Sequence, residues 1–333
     1  MNRILIIQTA SLGDVVLSTS LAETLHLHYP GCKIDFLIKK GYESLFEGHP
    51  FINAVLLWDK KQKKYRNLLK IIIEVHKSHY DAVINIHRHI SSGLVTMLSG
   101  AGYRSGFRKN PLSFAFTHKA VHLISATGAN EHEIIRNHRL ISDIVHCEPS
   151  KPRLYPREAD EAFLEPWKNE KYITISPASL WFTKQYPLHK WVGFVNLLSN
   201  VINVYLLGAA NDGAICEQII KQANRKNILN LTGKLSFLQS AALMKGALMN
   251  FVNDSAPLHL ASATNAPVTA IFCSTVKAFG FGPVSDNSVI LESPLNLACR
   301  PCGLHGHRNC PEKHFLCAES IDNIQLINRI PYE

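Results

Sequence analysis

The sequence predicts an α/β protein with two doubly wound parallel sheets, one in each of two domains. Short apolar runs rich in branched residues alternate with segments whose apolar residues recur at every third or fourth position. Strands that alternate with helices in this way form parallel sheets covered by helices. The alternation occurs twice, and 333 residues exceed what one ordinary core requires. We therefore expect domains at 1–160 and 161–333.

The strand and helix patterns can be placed along the chain. In the first series, strands are predicted at 3–8, 34–38, 54–58 and 82–86, with helical patterns between them. A charged, proline-containing stretch at 151–170 is expected to connect the domains. In the second series, strands are predicted at 172–176, 203–208, 227–231, 247–252 and 267–272. Helices are predicted there at 189–198, 213–224, 236–245 and 257–264.

The composition indicates a folded protein whose binding partner is anionic. A content of 46% hydrophobic and 18% charged residues is typical of a folded globular chain. The net charge of +9 suggests an anionic partner, such as nucleic acid, lipid headgroups or nucleotide phosphates. No basic block typical of a nucleic-acid-binding arm is present, and KKQKK at 60–64 is expected to be a solvated loop. Without a long apolar run or a secretion-signal pattern, we expect a cytoplasmic protein.

An aspartate follows the first predicted strand, where a helix should begin. Asp14 comes directly after Gly13, which is expected to let the backbone turn tightly there. A carboxylate at a helix start is often only a cap, favoured by the helix dipole. It can equally be a base exposed at the carboxyl edge of the sheet. The neighbouring residues leave both interpretations open.

A candidate phosphate site lies in FVNDSAPLHLASA, residues 251–263. The side chain of Asp254 or Ser255 is expected to cap a helix that has Pro257 in its first turn. Free amides at such a helix start can hold a diphosphate, and His259 lies one turn further on the same face. The alternative is a well-capped core helix. The glycine-rich motifs of dinucleotide-binding and P-loop proteins are absent, which makes those classes less favoured.

A second candidate phosphate-binding loop follows the first strand of the second domain. It contains Ser179, Thr183 and Lys184 within ISPASLWFTKQYPLHKW, residues 175–191. A lysine there is a movable charge suited to a leaving phosphate. The alternative is an ordinary surface lysine. In the first domain, His87 and Arg88 follow the fourth strand and are candidates for binding acceptor phosphates or carboxylates, or else solvated loop residues.

Three separated segments resemble glycosyltransferase family 9, the ADP-heptose:lipopolysaccharide heptosyltransferases. They are SLGDVVLSTSLAETLHLHYPGCKIDFLI, KQYPLHKW and NDSAPLHLASATNAPVTAIF, in the family's order along the chain. The resemblance implies a GT-B fold, with an N-terminal acceptor domain and a C-terminal nucleotide-sugar domain facing a cleft. It also implies inverting, metal-independent transfer of a heptose or related sugar to the inner core of lipopolysaccharide.

The resemblance assigns roles to individual residues. Asp14 matches the general base, and Lys184 matches the lysine that neutralises the departing diphosphate. Ser11 and Gly13, beside the base, are expected to border the acceptor, together with the His87 and Arg88 candidates. Donor-binding roles fall on Ser179, Thr183, Lys184, Asp212, Leu235, Asp254, Ser255, Ala256 and His259. Two of these depart from the family pattern, because Ala256 stands in place of a glycine and Asp212 in place of a longer glutamate.

Four of the eight cysteines form a C-x2-C-x7-C-x6-C cluster in the segment 299–317. The cluster consists of Cys299, Cys302, Cys310 and Cys317. In a cytosolic chain this spacing suggests a structural zinc site more than disulfides, although the second pair is looser than in a zinc ribbon. The alternative is four reduced thiols in a tight loop. We expect no catalytic role for a metal there.

The leading hypothesis is therefore an inverting glycosyltransferase. Its expected partners are an ADP-sugar donor, a lipid A-core acceptor and the anionic inner face of the inner membrane, with no nucleic acid. One alternative is a non-catalytic nucleotide-sugar-binding protein. Others are a GT-B transferase that uses a different sugar nucleotide, or another two-domain enzyme such as an epimerase.

Overall fold

The computed structural model describes residues 1–127 and 131–331. The chain divides into two compact units, of which the first contains Met1–Ile124 and Glu131–Tyr155. The second unit contains the chain from Pro156 onward. This division lies slightly before residue 160, because the second half of the predicted connection is a helix that packs within the second unit.

The first unit is a six-stranded parallel sheet with helices. Its strands are β1 (Arg3–Gln8), β2 (Lys33–Lys39), β3 (Ile52–Trp58), β4 (Ala82–Asn85), β5 (Tyr103–Phe107) and β6 (His118–Ala120). Its helices are α1 (Leu12–His28), α2 (Lys64–Lys77), α3 (Ile90–Met97) and α4 (Glu133–His138). The strand order is β3-β2-β1-β4-β5-β6. The direction of winding reverses between β1 and β4, and open α/β sheets bind ligands at such a switch point.

The second unit repeats this topology. Its strands are β7 (Tyr172–Ser176), β8 (Asn203–Leu206), β9 (Ile228–Asn230), β10 (Asn250–Asn253), β11 (Val268–Phe272) and β12 (Ser288–Glu292). Its helices are α5 (Glu158–Lys168), α6 (Leu188–Leu197), α7 (Gly213–Gln222), α8 (Phe237–Gly246), α9 (Ala256–Ala263), α10 (Leu316–Glu319) and α11 (Asn323–Ile327). The order β12-β11-β10-β7-β8-β9 places the switch point between β7 and β10.

The predicted fold class, two doubly wound parallel sheets, is confirmed. The central strands were identifiable because both of their faces are covered, so that they read as nearly continuous apolar runs. All five residues of β7 are buried, and five of the six in β1. Strands β5, β6 and β12 were missed. Strand β5 is largely polar, β6 has only three residues, and β12 is a half-buried strand at a sheet edge.

Candidate active site

Each unit carries charged side chains at its topological switch point. In the first unit, Asp14 follows β1 and Arg88 follows β4. In the second unit, Lys184 follows β7 and Asp254 follows β10. The predicted residues therefore lie where sheets of this kind bind their ligands.

Asp14 forms a capping box with Ser11 at the start of α1. The Ser11 hydroxyl donates to Oδ2 of Asp14 at 2.6 Å, and the Ser11 amide donates to the same oxygen at 3.1 Å. Both bonds use Oδ2, and Oδ1 makes no hydrogen bond within the described residues. The carboxylate is thus a helix cap on one oxygen, while its other oxygen remains available to a substrate.

The surroundings of Asp14 favour its protonated form. Burial raises the pKa of Asp14 above its ordinary value of 3.8, and the negative charge of Glu133 raises it further. The bonds from Ser11 and the positive charge of Arg88 act in the opposite direction. A carboxylate with a raised pKa is a stronger base, which suits removal of a proton from a hydroxyl.

Gly13 does not provide the turn after β1. It is a buried residue inside the first turn of α1, and the chain enters the helix through Ser11, whose backbone is extended (φ −76°, ψ 165°). The predicted turn role of Gly13 is therefore wrong.

Arg88 is oriented by a polar network that sequence analysis missed. An Nη of Arg88 lies 3.4 Å from Nδ1 of His122, and Nε2 of His122 lies 2.9 Å from Oε1 of Glu133. Arg136 donates from Nε to the other oxygen of Glu133 at 2.7 Å. If Arg88 donates to Nδ1, the bonding pattern assigns the histidine proton to Nε2. His122, Glu133 and Arg136 are all buried, so the network holds Arg88 beside the Asp14 end of the sheet.

Lys60 also lies at the carboxyl edge of the first sheet, although the KKQKK segment at 60–64 was expected to be a solvated loop. Its Nζ donates to the carbonyl of Thr9 at 2.7 Å and to the Thr9 hydroxyl at 3.1 Å. That hydroxyl lies 3.2 Å from Nδ1 of His87. Burial, followed by the charge of Lys60, lowers the pKa of His87 to about 3. His87 is therefore neutral at physiological pH, whereas Lys60 and Arg88 place positive charge beside it.

Lys184 is not an ordinary surface lysine. It ends a 3₁₀ turn in the loop after β7, and its Nζ lies 2.7 Å from Oδ2 of Asp254. The two side chains are only 15% and 9% exposed. Thr275 donates its hydroxyl to the same Oδ2 at 2.6 Å. The lysine charge is therefore held beside the start of α9.

Helix α9 begins without a side-chain cap. Ser255 is at the N-cap position but makes no capping bond, and Pro257 occupies the first turn. The prediction that the side chain of Asp254 or Ser255 caps this helix is therefore wrong, because Asp254 is engaged by Lys184 and Thr275. Uncapped amides at a helix start favour an anion. His259, in the next turn, is 6% exposed.

Thr183 fixes the loop that carries Lys184. Its hydroxyl accepts from Oγ of Ser274 at 3.0 Å and from the amide of His307 at 2.8 Å, and the residue is 1% exposed. Its hydroxyl is thus engaged within the protein. Ser179, in the same loop, is half-buried, and its carbonyl accepts from the Gln185 side chain at 2.7 Å.

Two loops at the carboxyl ends of β8 and β9 lie together. Asp212 accepts from the amide of Ala209 at 2.8 Å, which closes the turn before α7. Gly233, in the loop 232–235 that follows β9, has a φ of +69°, and a Cβ there would lie 2.9 Å from the Cα of Ala210. A glycine is therefore required for this close approach. Leu235 is half-buried in the same loop.

The four clustered cysteines line one pocket of about 300 Å³, together with His307, Glu312 and His314. All four thiols are free, and the Sγ of Cys299 lies 4.0 Å from Nε2 of His314. Within 1–127 and 131–331, no three His, Cys, Asp or Glu side chains are arranged to hold a metal ion. The pocket contacts the Lys184 loop through the hydrogen bonds between Thr183 and His307. The amide of Cys302 also donates to the carbonyl of Ser274.

The match to a family model gives the class of this two-domain protein, which is a glycosyltransferase. Residues 68–314 match the model of glycosyltransferase family 9 (heptosyltransferase). The chain belongs to this family, and the resemblance seen in its motifs is confirmed.

Relatives carry the family's activity in their names, and solved structures share the fold of this chain. The chain is 25% identical over 289 residues to lipopolysaccharide heptosyltransferase 1 of Campylobacter coli, covering 82% of this chain and 84% of the relative. The structure of Escherichia coli ADP-heptose lps heptosyltransferase II matches with a TM-score of 0.80 at 19% identity, covering 99% of this chain and 97% of that one. The iron-containing dodecameric heptosyltransferase TibC of Escherichia coli, in complex with ADP-D-beta-D-heptose, matches with a TM-score of 0.57 at 14% identity, covering 99% and 75%.

Proposed function

We propose that this glycosyltransferase moves a heptose from ADP-heptose to the inner core of lipopolysaccharide and inverts the anomeric centre. The names of its relatives support the heptose, the ADP donor and the lipopolysaccharide acceptor. The observation that carries the proposal is the position of the family's charged residues. Asp14 lies at the switch point of one sheet, and Lys184 at that of the other.

The reaction that these residues suit is a single displacement. Oδ1 of Asp14 removes the proton of the acceptor hydroxyl as the hydroxyl oxygen bonds to the anomeric carbon. The bond from that carbon to the diphosphate oxygen breaks, and ADP leaves. Negative charge grows on the diphosphate as it departs, so Lys184 and the amides that begin α9 stabilise the transition state more than the ground state. No metal takes part in this mechanism.

Donor contacts are proposed for the second unit. Asp254, Ser255, Ala256 and His259 border the diphosphate and sugar, and Asp212 and Leu235 border the adenosine. Ser179 contributes from the Lys184 loop, whereas Thr183 acts by positioning that loop, because its hydroxyl is already engaged.

Acceptor contacts are proposed for the first unit. Arg88 and Lys60 bind acceptor phosphates or carboxylates as cations, and the neutral His87 forms hydrogen bonds. Ser11 and Gly13 border the hydroxyl that reacts at Asp14.

A donor panel tests the proposed reaction class. The purified protein is given ADP-heptose, ADP-glucose, UDP-sugars or GDP-mannose with a heptose-deficient lipopolysaccharide acceptor, and nucleotide release is measured. We expect acceptor-dependent release of ADP from ADP-heptose. Preference for another donor would indicate a transferase for a different sugar, and tight binding of ADP-heptose without turnover would indicate a non-catalytic protein.

The pKa of Asp14 gives the reaction a predictable pH dependence. The base must be deprotonated, so kcat/KM should fall as the pH drops through its raised pKa. Replacing Ser11 with alanine removes the side-chain hydrogen bond that lowers this pKa and keeps the bond from the backbone amide of residue 11, so the acid limb of the pH profile should move to higher pH. The measurement is kcat/KM against pH for both proteins.

Ser236→Ala is the matched control for Ser11→Ala. Ser236 caps α8 through a capping box with Gln239, and its Oγ accepts from the Gln239 amide at 3.1 Å. Each substitution should reduce stability by about 1 kcal/mol through loss of the cap, but only Ser11→Ala should move the acid limb. An unmoved limb in Ser11→Ala would show that another group sets it.

We propose that Cys299, Cys302, Cys310 and Cys317 hold a structural metal ion. Four thiolates suit zinc or iron, and the TibC relative contains iron. The four thiols share one pocket but are not at ligand geometry within the described residues, so binding requires the 299–314 segment to close around the ion. The ion would stabilise the fold and take no part in the transfer.

Purified protein should therefore contain about one zinc or iron ion per chain by elemental analysis. Cys302→Ser should lose the ion and lower the melting temperature, whereas Cys147→Ser, at an exposed cysteine outside the cluster, should do neither. If the wild-type protein contains no metal and melts at the same temperature as Cys302→Ser, the metal proposal is wrong. The four cysteines are then reduced thiols in a tight loop.

We also propose peripheral contact with the anionic inner face of the inner membrane, where a lipid A-core acceptor is anchored. The net charge of +9 supports attraction to anionic lipid. Within the described residues, no helix has the length and apolar character needed to cross a membrane. Nucleic acid is not part of this proposal.

A further inference from the structure

Helix α2 carries exposed apolar side chains beyond the face that packs into the core. Tyr65, Leu69 and Ile73 recur every fourth residue and are 78%, 58% and 47% exposed. These three side chains form an exposed row, here called the outer ridge. The inner face of α2 packs into the core through Leu68, Ile71 and Val75. A helix at a protein surface normally carries polar residues outside its core face. The outer ridge lies between the core face of α2 and the side farthest from the core, so it requires a separate explanation.

Basic side chains lie directly beside the outer ridge. At 100° per residue, Arg66, Lys70 and Lys77 occupy the strip next to the ridge on the side away from the core. All three are exposed. Within α2 there are four Lys or Arg residues, Lys64, Arg66, Lys70 and Lys77, and one carboxylate, Glu74. The exposed surface of α2 therefore combines a narrow apolar row with a dense positive charge.

This combination favours a lipid surface over a protein partner. The centre of a protein interface is depleted in lysine and buries a broader apolar area. An interfacial helix instead inserts one row of apolar side chains at the headgroup level while flanking Lys and Arg bind anionic headgroups. Tyrosine is also suited to that depth, because its ring is apolar and its hydroxyl is polar.

The position of α2 connects this surface to the proposed acceptor site. The helix begins four residues after Lys60, whose Nζ bonds to Thr9 at the carboxyl end of β1. The N-terminal end of α2 therefore lies at the same sheet edge as Asp14 and Arg88.

We propose that the outer ridge and its basic strip, Tyr65, Leu69, Ile73, Arg66, Lys70 and Lys77, dock the protein on an anionic lipid bilayer. Docking brings the carboxyl edge of the first sheet to the membrane surface, where a lipid-anchored acceptor presents its sugars. This inference rests on the proposed function, which includes contact with the membrane, but vesicle binding is measured without any sugar transfer.

Vesicle co-sedimentation tests the proposal with the full chain. Phosphatidylcholine vesicles with and without a third of phosphatidylglycerol are used at low and high salt. The wild type should bind the anionic vesicles and be released by salt. The double variant Leu69→Asn, Ile73→Asn should bind at least about tenfold more weakly. Arg66→Gln with Lys70→Gln should weaken binding to anionic vesicles about 30-fold, since each basic residue near the surface is worth about 1 kcal/mol.

A matched pair of exposed apolar residues in the second unit provides the control. Leu197 and Val201 are 53% and 73% exposed, and Leu197→Asn with Val201→Asn should bind vesicles like the wild type. Melting curves establish that each variant is folded. Because the α2 residues are outside the catalytic machinery, turnover of a lipid-free acceptor should be unchanged in every variant.

The proposal is overturned if the wild type does not bind anionic vesicles, or if the α2 variants bind as well as the control pair. It is also overturned if the α2 substitutions dissociate an oligomer on gel filtration and leave vesicle binding unchanged, since the ridge is then a contact between copies. Failure of the proposed function has a different signature. In that case vesicle binding depends on α2, but no heptose is transferred.

Discussion

Replacing Asp14 with asparagine should lower kcat for sugar transfer about 10²–10⁴-fold while donor affinity remains unchanged. Asparagine has nearly the same shape, and its side-chain oxygen can accept the two bonds from Ser11 that now reach Oδ2. It cannot take up a proton. The cap of α1 is thus retained and only the basic function is removed. Steady-state kinetics with saturating donor, together with calorimetric titration of the donor, measure the two effects separately.

Asp160→Asn is the matched control for this substitution. Like Asp14, Asp160 occupies the third position of a helix, and its Oδ2 accepts from the amide of Arg157 at 3.0 Å, although Asp160 is the more buried of the two. It lies in α5, which precedes β7 and contains none of the proposed site residues. This variant should keep wild-type kcat even if its stability falls. Near-normal turnover in Asp14→Asn would remove Asp14 from the mechanism.

Lys184→Met should raise the activation barrier by about 2–4 kcal/mol, and most of the effect should appear in kcat. The ammonium group lies at the start of α9, where the proposed diphosphate gains negative charge only as the bond to the sugar breaks. His259→Ala, on the same helix, should affect donor binding and rate more evenly. The measurement is a comparison of kcat and KM for the two variants over a range of donor concentrations.

Removal of Lys184 also leaves Asp254 without its ion-pair partner. An unpaired, largely buried carboxylate destabilises a protein, so the loss of rate must be separated from a loss of fold. The double variant Lys184→Met, Asp254→Asn removes both charges and should recover melting temperature without recovering kcat. The exposed Lys226→Met should change neither quantity. A Lys184→Met enzyme with raised KM and intact kcat would mean that the lysine contributes only to binding.

The central strands could be predicted from the sequence, and several outer strands could not. Strands β1 and β7 are covered on both faces, so nearly all of their residues are buried and their sequences are nearly continuous apolar runs. Strand β5, with the sequence YRSGF, contains Arg104 and Gly106 and has little intrinsic preference for a strand. Its conformation depends on pairing with β4 and β6, which are distant in sequence.

Some residues of the candidate site could be predicted from the sequence, whereas the contacts between them could not. Asp14 and Lys184 were identifiable because each follows a strong strand within a family motif. The Lys184–Asp254 pair and the Arg88–His122–Glu133 network join residues from separate segments, so no local pattern indicates them. The prediction that Lys60 is solvated was wrong because its contact also comes from a distant segment. Its neighbours are polar, and only the contact with Thr9 distinguishes it from a solvated lysine.

Analysis of the reaction product tests the proposed heptose transfer most directly. The wild-type protein is incubated with ADP-heptose and a heptose-deficient lipopolysaccharide acceptor, and the product is examined by mass spectrometry and NMR. We expect the acceptor to gain one heptose whose anomeric configuration is opposite to that in the donor, with ADP released in equal amount. Retention of the donor configuration, transfer of a different sugar, or ADP release without growth of the acceptor would contradict the proposed reaction.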